Sequence, residues 1–477
     1  MTFFYYFKYT MDVQLKFLGG AKTVTGSKYL LKIDNYQILV DCGLFQGESA
    51  LRAQNWEDLP IDITEINTLI LTHAHLDHTG YLPKLCKAGY KGDIFCTEPT
   101  ADLIQLLLRD SAKLQEEEAE FARRKGYSKH NPPLPLYTLE DVEAIFPLLR
   151  PVGFHADINL TENISFKYHY AGHILGAAFI EITFKGDTQT KKIVFSGDLG
   201  RYEDPVLYPP DTIPVDSDIV LVETTYGNRV KKLDHVNEHL ANTISKTFEN
   251  NGVVLIPAFS VGRTQLILWY LEDLIANKKI QEAPVYMDSP MAISATELYV
   301  DHIQHHKIKT EQFSSVTFRK FESLLHIVEE HSASVLLNEI KGPAIIISAA
   351  GMMNGGRIMH HLYHRLPNKN DCLLIVGFQA KGTRGEQILS GAETVSIFGQ
   401  TVAVKCSVNY IEGMSAHADQ EELTKWLSGV KDAPKRTFLI HGELESSQEF
   451  QAHIKKELGW ESIIPNPFEN FSLFEGI

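Results

Sequence analysis

No stretch of this chain approaches the ~18 consecutive apolar residues that a membrane span requires, so no membrane-crossing helix is expected. Cysteine is scarce. The five present (Cys42, Cys86, Cys96, Cys372 and Cys406) are odd in number and lack C-x-x-C spacing. That excludes a disulfide framework and points to a reducing cytoplasm. Positive charge is in short supply as well: 45 Lys and Arg face 60 Asp and Glu, for a net charge of −15. A protein held on nucleic acid by its overall charge is thereby excluded, and such a substrate would need a locally basic cleft. Internal repeats and low-complexity segments are missing. The aromatic start, Met1 to Met11, is too short for a secretory signal and carries no small-residue cleavage site, which leaves Met11 as a second candidate start.

What is present is ordinary globular material. Hydrophobic residues make up 44% and charged residues 22%. The 477 residues exceed the roughly 250–300 at which single cores split, so two domains are expected. Short apolar runs read as strands at 15–18, 29–33, 38–40 and 69–71, and an amphipathic pattern predicts a helix over 100–124. Strands resume at 164–168, 178–184, 192–195 and 219–222. From Thr225 buried-looking strands (253–256, 285–287, 344–347, 373–376) alternate with helical stretches such as 264–278, the pattern of a parallel α/β sheet. After Gln400 the first texture returns, with strands at 402–404 and 438–440. The reading is a strand-rich domain over 13–225, an inserted α/β domain over 226–400, and the remainder of the first domain over 401–477.

The chemistry concentrates in His73-Ala74-His75-Leu76-Asp77-His78, directly after the run Leu69-Ile70-Leu71. Alternate side chains on a strand end can aim at one point, and imidazole and carboxylate both suit zinc. His73 and His75 could share one metal, and Asp77 and His78 could serve a second a few ångströms away. Two more candidates sit where a strand meets a glycine-rich turn: His173 in Ala171-Gly172-His173-Ile174-Leu175-Gly176, and Asp198 in Ser196-Gly197-Asp198-Leu199-Gly200. Singly, each reads equally well as a turn residue. Asp41, before Cys42-Gly43, is either a turn-former or an acid that holds a ligand histidine.

In this order, Asp41, the 73–78 hinge, His173 and Asp198 resemble the metallo-β-lactamase superfamily. His75 favours its hydrolase branch, because flavodiiron oxygen reductases resemble the motif but carry Glu there. Glu223-Thr-Thr-Tyr-Gly227, Pro257-Ala-Phe-Ser-Val-Gly-Arg-Thr264, Met287-Asp-Ser-Pro-Met291, Ser348-Ala-Ala-Gly-Met352, Gly377-Phe-Gln-Ala-Lys-Gly-Thr383, Ser415-Ala-His-Ala-Asp419 and Ile440-His-Gly-Glu443 follow the order seen in β-CASP nucleases. The resemblance covers roughly residues 13 to 460 and is closest to bacterial and archaeal relatives of the cleavage and polyadenylation endonuclease.

That resemblance implies an α/β fold, a four-layer αββα metallo-β-lactamase sandwich with an inserted parallel-sheet α/β β-CASP domain. It implies two zinc ions: His73, His75 and His173 on one, Asp77, His78 and His441 on the other, with Asp198 bridging. It makes His417 the general acid, with Glu223 as its hydrogen-bond partner, and Asp77 and Asp41 supporting members of the centre. Arg263, Thr264, Ser348, Arg357, Lys381 and Arg384, in or beside glycine-rich loops of the insert, become candidate phosphate contacts. His169, His360, His361 and His364 match no ligand position, and packing or surface roles are expected for them. The implied activity is hydrolysis of single-stranded RNA by a metal-activated water, DNA not being excluded by the chemistry. A non-catalytic RNA-binding processing subunit and a small-molecule metallohydrolase are the alternatives. Whether the protein forms a homodimer, works with an RNA-processing partner, or cuts internally or from an end is left open.

Overall fold

The computed structural model describes residues 11–125, 133–187, 189–230, 235–309, 316–380 and 382–477. Two compact units emerge. The first comprises the chain up to Asp204 with Tyr208–Val230 and His417–Ile477, and the second comprises Pro205–Leu207 and Lys231–Ala416.

The first unit contains two sheets around one core. One sheet holds β1 (Val13–Gly19), β2 (Lys28–Ile33), β3 (Tyr36–Val40), β4 (Thr68–Ile70), β5 (Asp93–Thr97), β6 (Leu149–Val152) and the late strand β21 (Asn470–Phe474), in the order β21-β1-β2-β3-β4-β5-β6. The other holds β7 (Ile158–Asn159), β8 (Ile164–Tyr170), β9 (Ala178–Lys185), β10 (Thr190–Phe195), β11 (Ile219–Glu223) and β20 (Arg436–Ile440), in the order β20-β11-β10-β9-β8-β7. Alternation builds the interior: Val13, Leu15 and Phe17 of β1 are buried, and they share a core with Phe166, Ile180, Ile193, Leu221 and Phe438 of the second sheet. The helix Glu98–Lys125 covers the amphipathic stretch expected at 100–124, burying Leu103, Ile104 and Leu108. The first unit is thus an α/β sandwich of two sheets, and the second unit carries a sheet of its own.

One topological fact positions everything that follows. β3, β4, β5 and β6 run parallel, and so do β10, β11 and β20. The chain therefore leaves each of these strands at its C-terminal end, where parallel α/β sheets gather their loops.

The second unit carries a parallel six-stranded sheet of β12 (Val253–Pro257), β13 (Val285–Asp288), β14 (Leu325–Ile327), β15 (Ala344–Ser348), β16 (Cys372–Ile375) and β19 (Ser407–Tyr410), in the order β14-β13-β15-β12-β16-β19. The strand expected at 402–404 is β18 (Gln400–Ala403), which pairs with β17 (Thr394–Ile397) in a separate hairpin. β19 then adds to β16 at the sheet's edge. Val402 packs with Val395 and Ile397 in the second unit's core, so residues 401–416 remain with the insert until His417. Apolar alternation signals a strand but does not say which sheet it joins.

Candidate metal centre

The hinge follows β4 and enters a short helix, Leu76–Thr79. It is clamped by its neighbour: Cys42 N–H donates to His78 O at 2.7 Å and Leu44 N–H to Leu76 O at 2.8 Å. A Cβ on Gly43 would stand 1.6 Å from Asp77 O, so only glycine lets the two segments lie this close. The second sheet supplies the rest from its parallel ends. Asp198 follows β10, Glu223 closes β11, and the register Glu223↔Ile440 brings His441 one residue past β20.

Seven ligand-type side chains converge. Nε2 of His73 and Nε2 of His173 lie 3.1 and 3.2 Å from Nδ1 of His75. The same two atoms lie 3.4 and 3.5 Å from Oδ2 of Asp198. Beside them, Nε2 of His441 is 3.2 Å from Nε2 of His78 and 3.4 Å from Oδ2 of Asp77, while Oδ1 of Asp198 is 3.3 Å from Nε2 of His78. Tetrahedral zinc with bonds of about 2.0–2.1 Å requires ligand atoms about 3.3 Å apart. Both groups meet that spacing, and the two oxygens of Asp198 face one group each. The donor set therefore fits two zinc ions.

The rings are held so that these nitrogens present lone pairs. The Thr72 hydroxyl donates to Asp41 Oδ2 at 2.9 Å and sits 3.1 Å from His73 Nδ1, whose N–H can donate back to it. Asp41 Oδ2 accepts from His78 Nδ1 at 2.7 Å. Thr225 Oγ1 donates to His441 O at 3.1 Å and lies 3.2 Å from His441 Nδ1. In each case a proton on Nδ1 leaves Nε2 free to ligate. Thr72 and Thr225 were not singled out from the sequence, although each sits beside a motif residue, the one position where a supporting hydroxyl could have been sought.

Charge completes the picture. Burial pushes the His73 and His75 imidazoles below their ordinary value, which favours the neutral, ligating form. Burial also depresses His78 and His441, but the Asp198 carboxylate, with Asp41 at His78 and Asp77 at His441, outweighs it and raises both. Asp198 and Asp77 would be raised by burial, yet the surrounding histidines hold both low. The carboxylates thus create a demand for positive charge at this point.

His417 stands at the rim, 20% exposed, its ring centroid 4.3 Å from that of His173. Its Nδ1 is 3.2 Å from both oxygens of Glu223. Glu223 also accepts from Leu199 N–H at 2.7 Å and Thr225 N–H at 3.4 Å. With both oxygens engaged by N–H donors, Glu223 suits hydrogen bonding better than metal ligation.

The candidate phosphate contacts look different. Arg263 donates to Val376 O at 2.6 Å, Thr264 Oγ1 to Phe259 O at 2.9 Å, and Ser348 Oγ to Asp288 O at 3.0 Å. Arg357 donates to Asp288 Oδ1 and Val328 O, both at 2.8 Å, and Arg384 to Ser396 O at 3.0 Å and to Met353 O. Arg263, Thr264, Arg357 and Arg384 follow β12, β15 or β16, Ser348 ends β15, and each spends the donors named here on groups within the second unit. Lys381 lies outside the described residues. His361, expected in a packing role, is fully buried, with Nε2 2.6 Å from Asp288 Oδ2.

Family models match three parts of the chain. A metallo-beta-lactamase superfamily domain matches residues 30–216, a Beta-Casp domain residues 264–388, and a Zn-dependent metallo-hydrolase RNA specificity domain residues 401–465. The chain is 36% identical to a ribonuclease of Thermus thermophilus over 90% of its own length and 92% of the relative's. It is 30% identical to an RNase J-like protein of Methanocaldococcus jannaschii, over 95% and 98% respectively. A protein of unknown function from Enterococcus faecalis, solved by crystallography, shares the fold, with a TM-score of 0.54 at 12% identity over 97% of this chain and 100% of that one. No helix among the described residues is long and apolar enough to cross a membrane.

Proposed function

Since the chain belongs to the β-CASP ribonuclease family of the metallo-β-lactamase superfamily, we propose that it hydrolyses phosphodiester bonds of single-stranded RNA at a two-zinc centre. His73, His75 and His173 would hold one ion and Asp77, His78 and His441 the other, with Asp198 between them. Two zinc ions there would supply Lewis acidity and lower the pKa of water toward ~7. The observation that carries the reading is the paired set of ligand atoms at 3.1–3.5 Å, joined through the two oxygens of one buried carboxylate.

The remaining roles fall to this chain's own groups. Asp41 keeps the His78 ring in the ligating tautomer, and Thr72 and Thr225 do the same for His73 and His441. Glu223 fixes His417 through Nδ1, which leaves Nε2 as the atom that hands a proton to the departing oxygen. Its partial exposure suits a group that must meet substrate. Arg263 remains our choice for a residue that shapes the substrate path, since it ties the loop before its helix to the loop after β16.

Internally labelled and 5′-labelled single-stranded RNA, incubated with the protein before and after chelation, tests this. Cleavage that vanishes with chelator, returns with zinc, and is lost in Asp77→Ala is expected. Cleavage that persists through chelation, or full activity in Asp77→Ala, overturns the two-zinc reading. The pattern of labelled products separates internal from terminal cutting.

A further inference from the structure

Away from that centre, ligand-type groups converge a second time in the first unit. His155 follows β6, His169 lies on β8, and Asp211 precedes β11. A ring nitrogen of each histidine and a carboxylate oxygen lie within 4.8 Å of one another. We propose that these three residues form a separate binding site for a single zinc-class divalent cation, an assignment that rests on their geometry and not on the ribonuclease reading.

Three observations distinguish the group from surface ion pairs that happen to adjoin. First, His169 is held as a ligand histidine is held. Its Nε2 is 2.9 Å from Glu181 Oε2, its ring stacks on Phe179 at 4.7 Å and 10°, and both members of the pair are nearly buried, at 14% and 11%. A carboxylate on one ring nitrogen fixes the tautomer and strengthens the other as a donor, and no other described residue hydrogen-bonds Nδ1.

Second, all three positions are fastened to one strand. His155 N–H donates to Tyr168 O, and Asp211 N–H to Tyr170 O, each at 2.8 Å. Tyr170 N–H returns a bond to Asp211 Oδ2, also at 2.8 Å, so β8 serves as a rigid frame. Third, access and charge are right. His155 and Asp211 are 53% and 33% exposed, and their Nε2–Oδ2 contact of 2.7 Å is a direct hydrogen bond that a bound ion must widen to the ~3.3 Å between zinc ligands. Two imidazoles and one carboxylate form a donor set for zinc. Glu181 does not add to the local negative charge unopposed, because Lys192 pairs with it at 3.0 Å.

The site has a structural consequence. β8 ends at Tyr170 and the chain runs on through Ala171-Gly172 to His173, so an ion here would brace the strand that leads to His173.

The experiment uses the full chain, zinc as the probe, and competition with a chromophoric chelator. His155→Asn is the informative variant, because residue 155 has φ 62°, which Asn tolerates well. His169→Gln is the second. Wild type should bind one zinc equivalent beyond those of the main centre, weakened at least about tenfold in either variant. That extra equivalent should raise the Tm of wild type and not of His155→Asn. Equal zinc stoichiometry and affinity in wild type and His155→Asn overturns the proposal. RNA cleavage is read separately: its absence in wild type would refute the ribonuclease reading and leave the zinc count at His155 interpretable.

Discussion

Asp41→Asn isolates one carboxylate oxygen. Asp41 is 1% exposed, and its carboxylate accepts from Thr72 N–H at 2.8 Å, from the Thr72 hydroxyl at 2.9 Å, and from His78 Nδ1 at 2.7 Å. Residue 41 sits at φ 58°, where Asn is at home and Ala is strained, so the backbone should not report the change. The amide keeps an oxygen for Thr72 but turns an N–H₂ toward His78. The imidazole can preserve that contact only by accepting at Nδ1, which puts its proton on Nε2, the atom facing His441 and Asp198. The ring must then lose either its orienting bond or its ligating lone pair. Loss of such a supporting partner typically costs 10- to 100-fold in metal affinity, or about 1.4–2.7 kcal/mol at ~1.36 kcal/mol per decade. Zinc affinities measured by chelator competition should therefore show one ion weakened by that factor and the ion at His73, His75 and His173 changed much less. RNA cleavage should recover substantially in excess zinc. Unchanged affinity for both ions, or selective loss of the three-histidine ion, would refute the reasoning.

Three further outcomes follow from the same coordinates. His417→Ala should lower kcat about 10²- to 10⁴-fold with zinc content unchanged, as read by steady-state cleavage alongside metal analysis; metal loss would show that His417 had been misassigned. Lys28→Met should stabilise the protein by about 1–3 kcal/mol at neutral pH. Burial holds the Lys28 ammonium at about 8, between Phe45 and Tyr81. Its folded value lies below the ordinary 10.5, so wild-type stability rises with pH between those values. Denaturation curves across that range should show the rise vanish in the variant, and an identical pH profile would count against it. Asp288→Asn should destabilise by about 3–5 kcal/mol near neutrality. Burial would raise this carboxyl, but hydrogen bonds from His361, Ser334 and Arg357 hold it low. The contribution is therefore present above about pH 4 and disappears as pH falls through the depressed folded value. A gap between wild type and variant that stays constant into acid would argue against that account.

Much of this is legible in the sequence. The 73–78 hinge announced itself because four ligand-type residues within six positions after an apolar run have a short list of uses. The strands of the first sheet were visible because one face of each is buried and alternation records that. Less legible was anything that depends on which partner a donor finds. Arg357 and Arg384 sit in glycine-rich loops and read as phosphate contacts, yet in the fold they bond Asp288 and backbone carbonyls. A guanidinium has the same donors for a phosphate as for a buried carboxylate. His169, expected in a packing or surface role, is oriented by Glu181 twelve residues on and lies beside His155 and Asp211.

By itself the sequence determined the kinds of ligand, their order along the chain, and the family whose motifs share that order, because these are properties of residue types and spacing. Only the tertiary structure decided which nitrogens of His73 and His78 face the centre. That choice depends on Thr72 and Asp41 occupying the opposite nitrogens. It also decided that Asp198 turns one oxygen to each group, and that Ser407–Tyr410 adds to the edge of the parallel sheet. Most of these hydrogen-bond partners and strand neighbours lie tens to hundreds of positions apart and are settled by packing, of which local pattern carries no record.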